Sequence, residues 1–125
     1  MKVLVCKRNG WKLDLEVMEI EDELQTYYDL IECDTITIVG GNVDGKRFDI
    51  VADDNGLLVE HPILTVVHKD NLDGMYVGNL VFTGLGDENG ELTSLDDEII
   101  EAIKARKKTV FTTAFQPLEV LLFDN

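Results

Sequence analysis

The sequence predicts an α+β domain, mainly an antiparallel β-sheet with two α-helices packed on one face. Three observations carry that expectation. Short runs alternate apolar and polar residues with period two, and only two stretches switch to a helical period. Between the runs, a tetrapeptide of Asn or Asp, any residue, Asn or Asp, then Gly recurs at Asn42–Gly45, Asp53–Gly56, Asn71–Gly74 and Asp87–Gly90. Asn and Asp side chains hydrogen-bond nearby backbone and tolerate positive φ, and Gly takes it freely, so these tetrapeptides punctuate strands.

Taken in order, Lys2 to Cys6 is a short apolar run, Asn9-Gly10 is turn chemistry, and Trp11 to Ile20 alternates. Leu13, Leu15 and Val17 then face one side and Lys12, Asp14 and Glu16 the other, which predicts an N-terminal hairpin. From Glu21 the spacing of Leu24, Tyr27 or Tyr28, and Ile31 is helical, with acids in the first turn, and this helix should end near Glu32. Thr35 to Val39 and Phe48 to Val51 form a second hairpin, with Gly40 to Gly45 as its turn.

Leu57 to Glu60 reads as a short strand that His61-Pro62 interrupts. Ile63 to Val67 is either a strand or the apolar face of a loop. Met75 to Thr83 is a better strand and a central one, with Gly78 at a bulge or a close approach. A second helix starts at Thr93 or Ser94 as N-cap, buries Ile99, Ile100 and Ile103, and closes on Lys104, Arg106, Lys107 and Lys108. The tail from Thr109 turns apolar again, with Pro117 dividing it into two β-like pieces. Its eight large apolar residues are too many to leave solvated, so it is expected to dock on its own domain in preference to a second copy.

A chain of 125 residues fits one domain, 1–125, read as a core over 1–108 and an apolar extension over 109–125. No apolar run approaches the roughly 20 residues that span a bilayer, and the apolar start is too short for a signal peptide. A cytoplasmic protein is therefore expected. Cys6 and Cys33 stand without a CxxC pattern and read as reduced core residues.

Twenty-five acids against eleven bases give a net charge of −14, and the bases are unevenly placed. None lies between Lys12 and Lys46, an interval holding Asp14, Glu16, Glu19, Glu21, Asp22, Glu23, Asp29, Glu32, Asp34 and Asp44. Such a field repels nucleic acid and anionic membrane and favours a basic partner, here a basic host protein. Asp14, Glu16, Glu19, Asp22 and Glu23 are the expected partner-binding residues; the same surface also serves solubility alone. The cluster Lys104, Arg106, Lys107 and Lys108 is either a helix end answering its dipole or an anion site.

Catalytic and metal sites find no named residues. Placing Gly56 or Gly90 at position 6 of a calcium loop leaves the first ligand as Val51 or Leu85. His61 and His68 lack metal-ligand spacing, and GxSxG, P-loop and nucleotide-binding glycine patterns are missing. Neither a cofactor nor a metal is expected.

Several pieces, in this order, together resemble the family known as domain of unknown function 3846, small proteins of phages and mobile elements. They are Met1 to Val5, Glu23-Leu24-Gln25 leading through Ile31-Glu32, Asp53 to Leu58, Gly78 to Gly84, and Leu92 to Glu98. The resemblance covers roughly residues 1–106. Where the family often carries Pro-Asn-Arg after the Gly-Leu-Leu turn, this chain has Glu60-His61-Pro62-Ile63-Leu64. The resemblance implies a small cytoplasmic accessory protein and brings no catalytic residues. The expected role is non-enzymatic protein–protein interaction through the acidic surface, with a monomer or a dimer through the C-terminal tail. The alternative is a small-ligand or nucleotide-binding module, with a polar pocket near Lys46, Arg47 or residues 104–108. An enzyme without a recognisable motif comes third.

Overall fold

The computed structural model describes residues 1–56, 63–68 and 76–123. The strand expected at 57–60, the His61-Pro62 break, the turn at 71–74 and the start at Met75 lie outside the described residues.

Both expected hairpins form. Strands β1 (Lys2–Asn9) and β2 (Lys12–Glu19) pair antiparallel from Lys2↔Glu19 to Asn9↔Lys12, so Gly10-Trp11 is a two-residue loop. Gly10 takes φ 62°, which a glycine supplies without steric cost. The helix α1 (Leu24–Ile31) follows, ending on Glu32 at φ 65°. Strands β3 (Ile36–Val43) and β4 (Lys46–Asp53) then pair with Val43↔Lys46 at the tip. Asp44 and Gly45 both have positive φ, 55° and 80°, the combination a type I′ turn requires, and Asn42 Oδ1 accepts from Gly45 N at 3.0 Å.

The turn is shorter than the expected Gly40 to Gly45, because β3 continues through Gly40 and Gly41. Gly41 is a packing glycine: a Cβ there would stand 2.5 Å from Phe48 Cε2. The missing side chain makes room for the ring.

The remaining strands are β5 (Leu64–His68), β6 (Tyr76–Val77), β7 (Leu80–Thr83), β8 (Lys107–Phe111) and β9 (Pro117–Phe123), with α2 (Asp97–Lys104) between β7 and β8. They build two sheets, one in the order β2-β1-β7-β4-β3 and one in the order β6-β5-β9-β8. All described pairings are antiparallel except β5 with β9. The segment expected as one strand to Thr83 is therefore two. At Gly78, φ 71°, the chain leaves the second sheet, and Leu80 to Phe82 join the first opposite Cys6 to Leu4. Asn79 fixes the crossing: its Oδ1 accepts from Arg8 N at 2.8 Å and its Nδ2 donates to Glu32 Oε2 at 2.8 Å.

The α+β class and the mainly antiparallel sheet are as expected, but the helices divide between the two faces of the five-stranded sheet. Tyr27 and Ile31 of α1 pack with Val3, Val5, Val51 and Val81. Ile99, Ile100 and Ile103 of α2 pack with Leu4, Cys6, Ile50 and Phe82, together with Leu121 and Phe123 of the second sheet. The physical reason lies in β1, where Val3, Leu4, Val5 and Cys6 are all buried: a continuous apolar run needs cover on both faces. Phe48, Phe82 and Phe123 meet edge to face with centroids 5.8 to 6.2 Å apart at the centre of the larger core.

The second helix begins later than expected. Asp96 is its N-cap, while Ser94 Oγ accepts from Lys2 N at 3.0 Å and Leu95 N donates to Lys2 O at 2.8 Å. Ser94 and Leu95 thus tie the loop to β1. Thr93 ties it to the chain after β7, its O accepting from Gly84 N at 2.9 Å and its Oγ1 donating to Leu85 O at 2.7 Å, so neither Thr93 nor Ser94 caps the helix. The helix also ends at Lys104, so Lys107 and Lys108 lie on β8 and are not its last turn. The tail forms β9, which pairs with β8 and with β5 from Val66↔Leu121 to His68↔Phe123. Pro117 stands at the first position of its strand, where proline is tolerated.

Candidate functional site

Residues opposite each other in an antiparallel ladder share a face, which places the acids of β2. Asp14 stands across from Lys7 and Glu16 across from Val5, so both project on the α1 side. Glu19 stands across from Lys2 and projects on the other side, its Oε2 lying 3.3 Å from the Met1 amino group. Glu23, the exposed N-cap of α1, makes no side-chain capping bond.

Asp22 has a different place. Its Oδ1 accepts from the buried Tyr27 hydroxyl at 2.6 Å and its Oδ2 from Leu92 N at 3.1 Å. Burial first, and the carboxylate second, push the Tyr27 phenol well above its ordinary range. Asp22 is thus a strut between α1 and the loop before α2. Of the five expected partner-binding acids, Asp14, Glu16 and Glu23 share one side of the molecule, Glu19 faces away, and Asp22 is engaged internally.

Two further acids, expected only as part of the base-free interval and not as partner-binding residues, add to that side. Gln25, Asp29 and Glu32 recur at i, i+4 and i+7, opposite the buried Tyr27 and Ile31, and all three are exposed. Gln25 Nε2 donates to Asp29 Oδ1 at 2.8 Å. The signal was present in the helical spacing, which identifies an outward stripe once the inward one is known. On the strands of this face the bases are Lys7, paired in register with Asp14, the exposed Lys12, on the same side of β2 as Asp14 and Glu16, and the exposed Arg47, which alternates with the inward Phe48.

The basic cluster does not gather. Lys104 Nζ lies 3.9 Å from Glu101, Arg106 is ion-paired with Asp44, and Lys107 Nζ lies 3.7 Å from Glu119 Oε2. Lys108 is exposed on the face of β8 opposite to Lys107. Lys104 and Lys107 do line a polar hollow of about 380 Å³ beside Leu13 and Leu15 of β2, but Asp14 lines it too. Lys46 lies 3.6 Å from Glu98.

The cysteines are separate, Cys6 under the α2 side and Cys33 half-buried after α1, and both are free thiols. Burial pushes the Cys6 thiol up to about 12 and raises that of Cys33 as well. Such thiols are poor nucleophiles at neutral pH. Among the described residues no group of three or more His, Cys, Asp and Glu is placed to hold a metal ion. No helix among them is long and apolar enough to cross a membrane.

Comparison with known proteins gives a family match over residues 1–108, to the domain of unknown function DUF3846. No curated protein and no solved structure matches the chain.

Proposed function

This chain belongs to the family of the DUF3846 domain of unknown function, and from that premise we propose that it is a small, non-enzymatic accessory protein of phage or mobile-element type. It acts by binding a basic partner protein in the cytoplasm. The observation that carries this reading is the α1 side, where the five acids Asp14, Glu16, Glu23, Asp29 and Glu32 stand against the three bases Lys7, Lys12 and Arg47. A surface of one sign steers a partner of the other sign and excludes nucleic acid and anionic lipid.

A phosphate-bearing small ligand is the second reading, favoured by the hollow that Lys104 and Lys107 line. Both lysines already lie within ion-pair range of Glu101 and Glu119, and Asp14 opposes an anion there, so the acidic side is preferred.

The experiment is charge reversal. Binding of a lysine-rich peptide should weaken at least about tenfold when Asp14, Glu16 and Asp29 become Lys, and far less when Asp96, Glu98 and Glu101 on the α2 side do. Affinity of the unaltered protein should also fall steeply with added salt. Equal losses from both triple variants would remove the reason for assigning the role to the α1 side.

A further inference from the structure

We propose that β8 is a docking edge for a second copy of this chain, the two β8 strands pairing antiparallel about a two-fold axis at Thr109. Among the described residues β8 has a neighbour, β9, on one side only, and all five of its residues are exposed. Leu122 N donates to Arg106 O and Thr112 N to Gln116 O, both at 3.0 Å. Antiparallel ladders alternate, so the even-numbered residues of β8 face β9 and the main-chain N–H and C=O of Lys107, Thr109 and Phe111 point away from it. Those three residues offer a ladder that is unpaired among the described residues, of the kind that recruits another strand.

The sequence of the edge itself favours a second copy of this chain. Lysines on an edge strand ordinarily discourage pairing, and here both stand at one end, in Lys107-Lys108-Thr109-Val110-Phe111. An antiparallel pair centred on Thr109 sets each Lys107 across from the Phe111 of the other copy and each Lys108 across from Val110, so no lysine opposes a lysine. Ammonium over an aromatic ring is a favourable cross-strand contact. The register also suits the hydrogen bonds, because two Thr109 residues with outward main chains exchange both their N–H···O bonds. It covers Phe111, 69% exposed, and Val110, 41% exposed.

Charge points the same way. The chain carries −14 overall, and two such bodies repel over most of their surface. β8 holds two lysines and no acid, so pairing there keeps carboxylates out of the seam, and the register sets the lysines of the two copies at its opposite ends. A two-fold axis makes the contact isologous, which closes at a dimer and does not propagate into a filament.

The test is sedimentation equilibrium from about 1 μM to 1 mM, since a single added strand pair gives a small, micromolar-class interface. The unaltered protein should approach twice its monomer mass with rising concentration. Thr109→Pro removes an outward N–H that β9 does not use, and should raise the dimer dissociation constant at least tenfold. Phe111→Lys places like charges across the axis on a residue already exposed, and should do the same even where the proline variant folds poorly. A protein that stays monomeric to the highest concentration overturns the proposal, as does a dimer that Phe111→Lys leaves intact.

Discussion

The hydroxyl of buried Tyr27 donates to the carboxylate of Asp22 across five residues of chain, at 2.6 Å. That bond, with Leu92 N on the other carboxylate oxygen, turns a surface acid into part of the frame that seats α1.

Asp22 and Tyr27 should act on stability as one unit. Asp22→Ala leaves a buried phenol and a main-chain donor without their acceptor, at a cost of about 1 to 3 kcal/mol, and Tyr27→Phe costs a similar amount. The double variant should be less destabilised than the sum, with a coupling of about 1 kcal/mol or more in urea unfolding. Strict additivity would show that the bond contributes nothing to stability.

Gly41 and Gly40 are adjacent and should respond in opposite ways. At Gly41 a methyl group meets the Phe48 ring and stands 3.1 Å from Ile50 Cδ1, so Gly41→Ala should cost about 1 to 3 kcal/mol through overpacking. A Cβ at Gly40 meets nothing within 4 Å, and Gly40→Ala should be neutral or stabilising. Similar midpoints for the two variants would show that the ring moves aside freely.

His68 should set part of the acid sensitivity. Its ring is buried between Tyr76 and Phe123, at 6.3 and 5.8 Å, and its Nε2 makes no hydrogen bond among the described residues. Burial lowers its pKa from 6.5, so below that value the unfolded chain binds a proton that the folded one resists. Stability from this group is present above pH 6.5 and is lost as pH falls through the depressed folded value. His68→Phe should flatten the decline of urea stability between about pH 7 and pH 5; an unchanged slope would place the acid sensitivity elsewhere.

Local chemistry determined much of this protein. Alternation and turn residues specified both hairpins, and the helical spacing of Tyr27 with Ile31, and of Ile99 with Ile103, specified the two helices, because these patterns depend on neighbours within one turn or one strand pair. The family resemblance over the first five-sixths of the chain was legible in the order of short motifs, and the family match covers residues 1–108. What the tertiary structure decided are the relations that span long separations. Val3 to Cys6 showed that β1 is apolar on both faces but not what covers each, so the helices were expected together and stand apart. Gly78 marked an irregularity, and only the competing pairings of Val77 with Leu64 and Leu80 with Cys6 made it a crossing between sheets. The acidic interval looked like one surface because charge counts carry no direction. The pleat turned Glu19 away from Asp14 and Glu16, and a buried phenol five residues on took Asp22 into the framework.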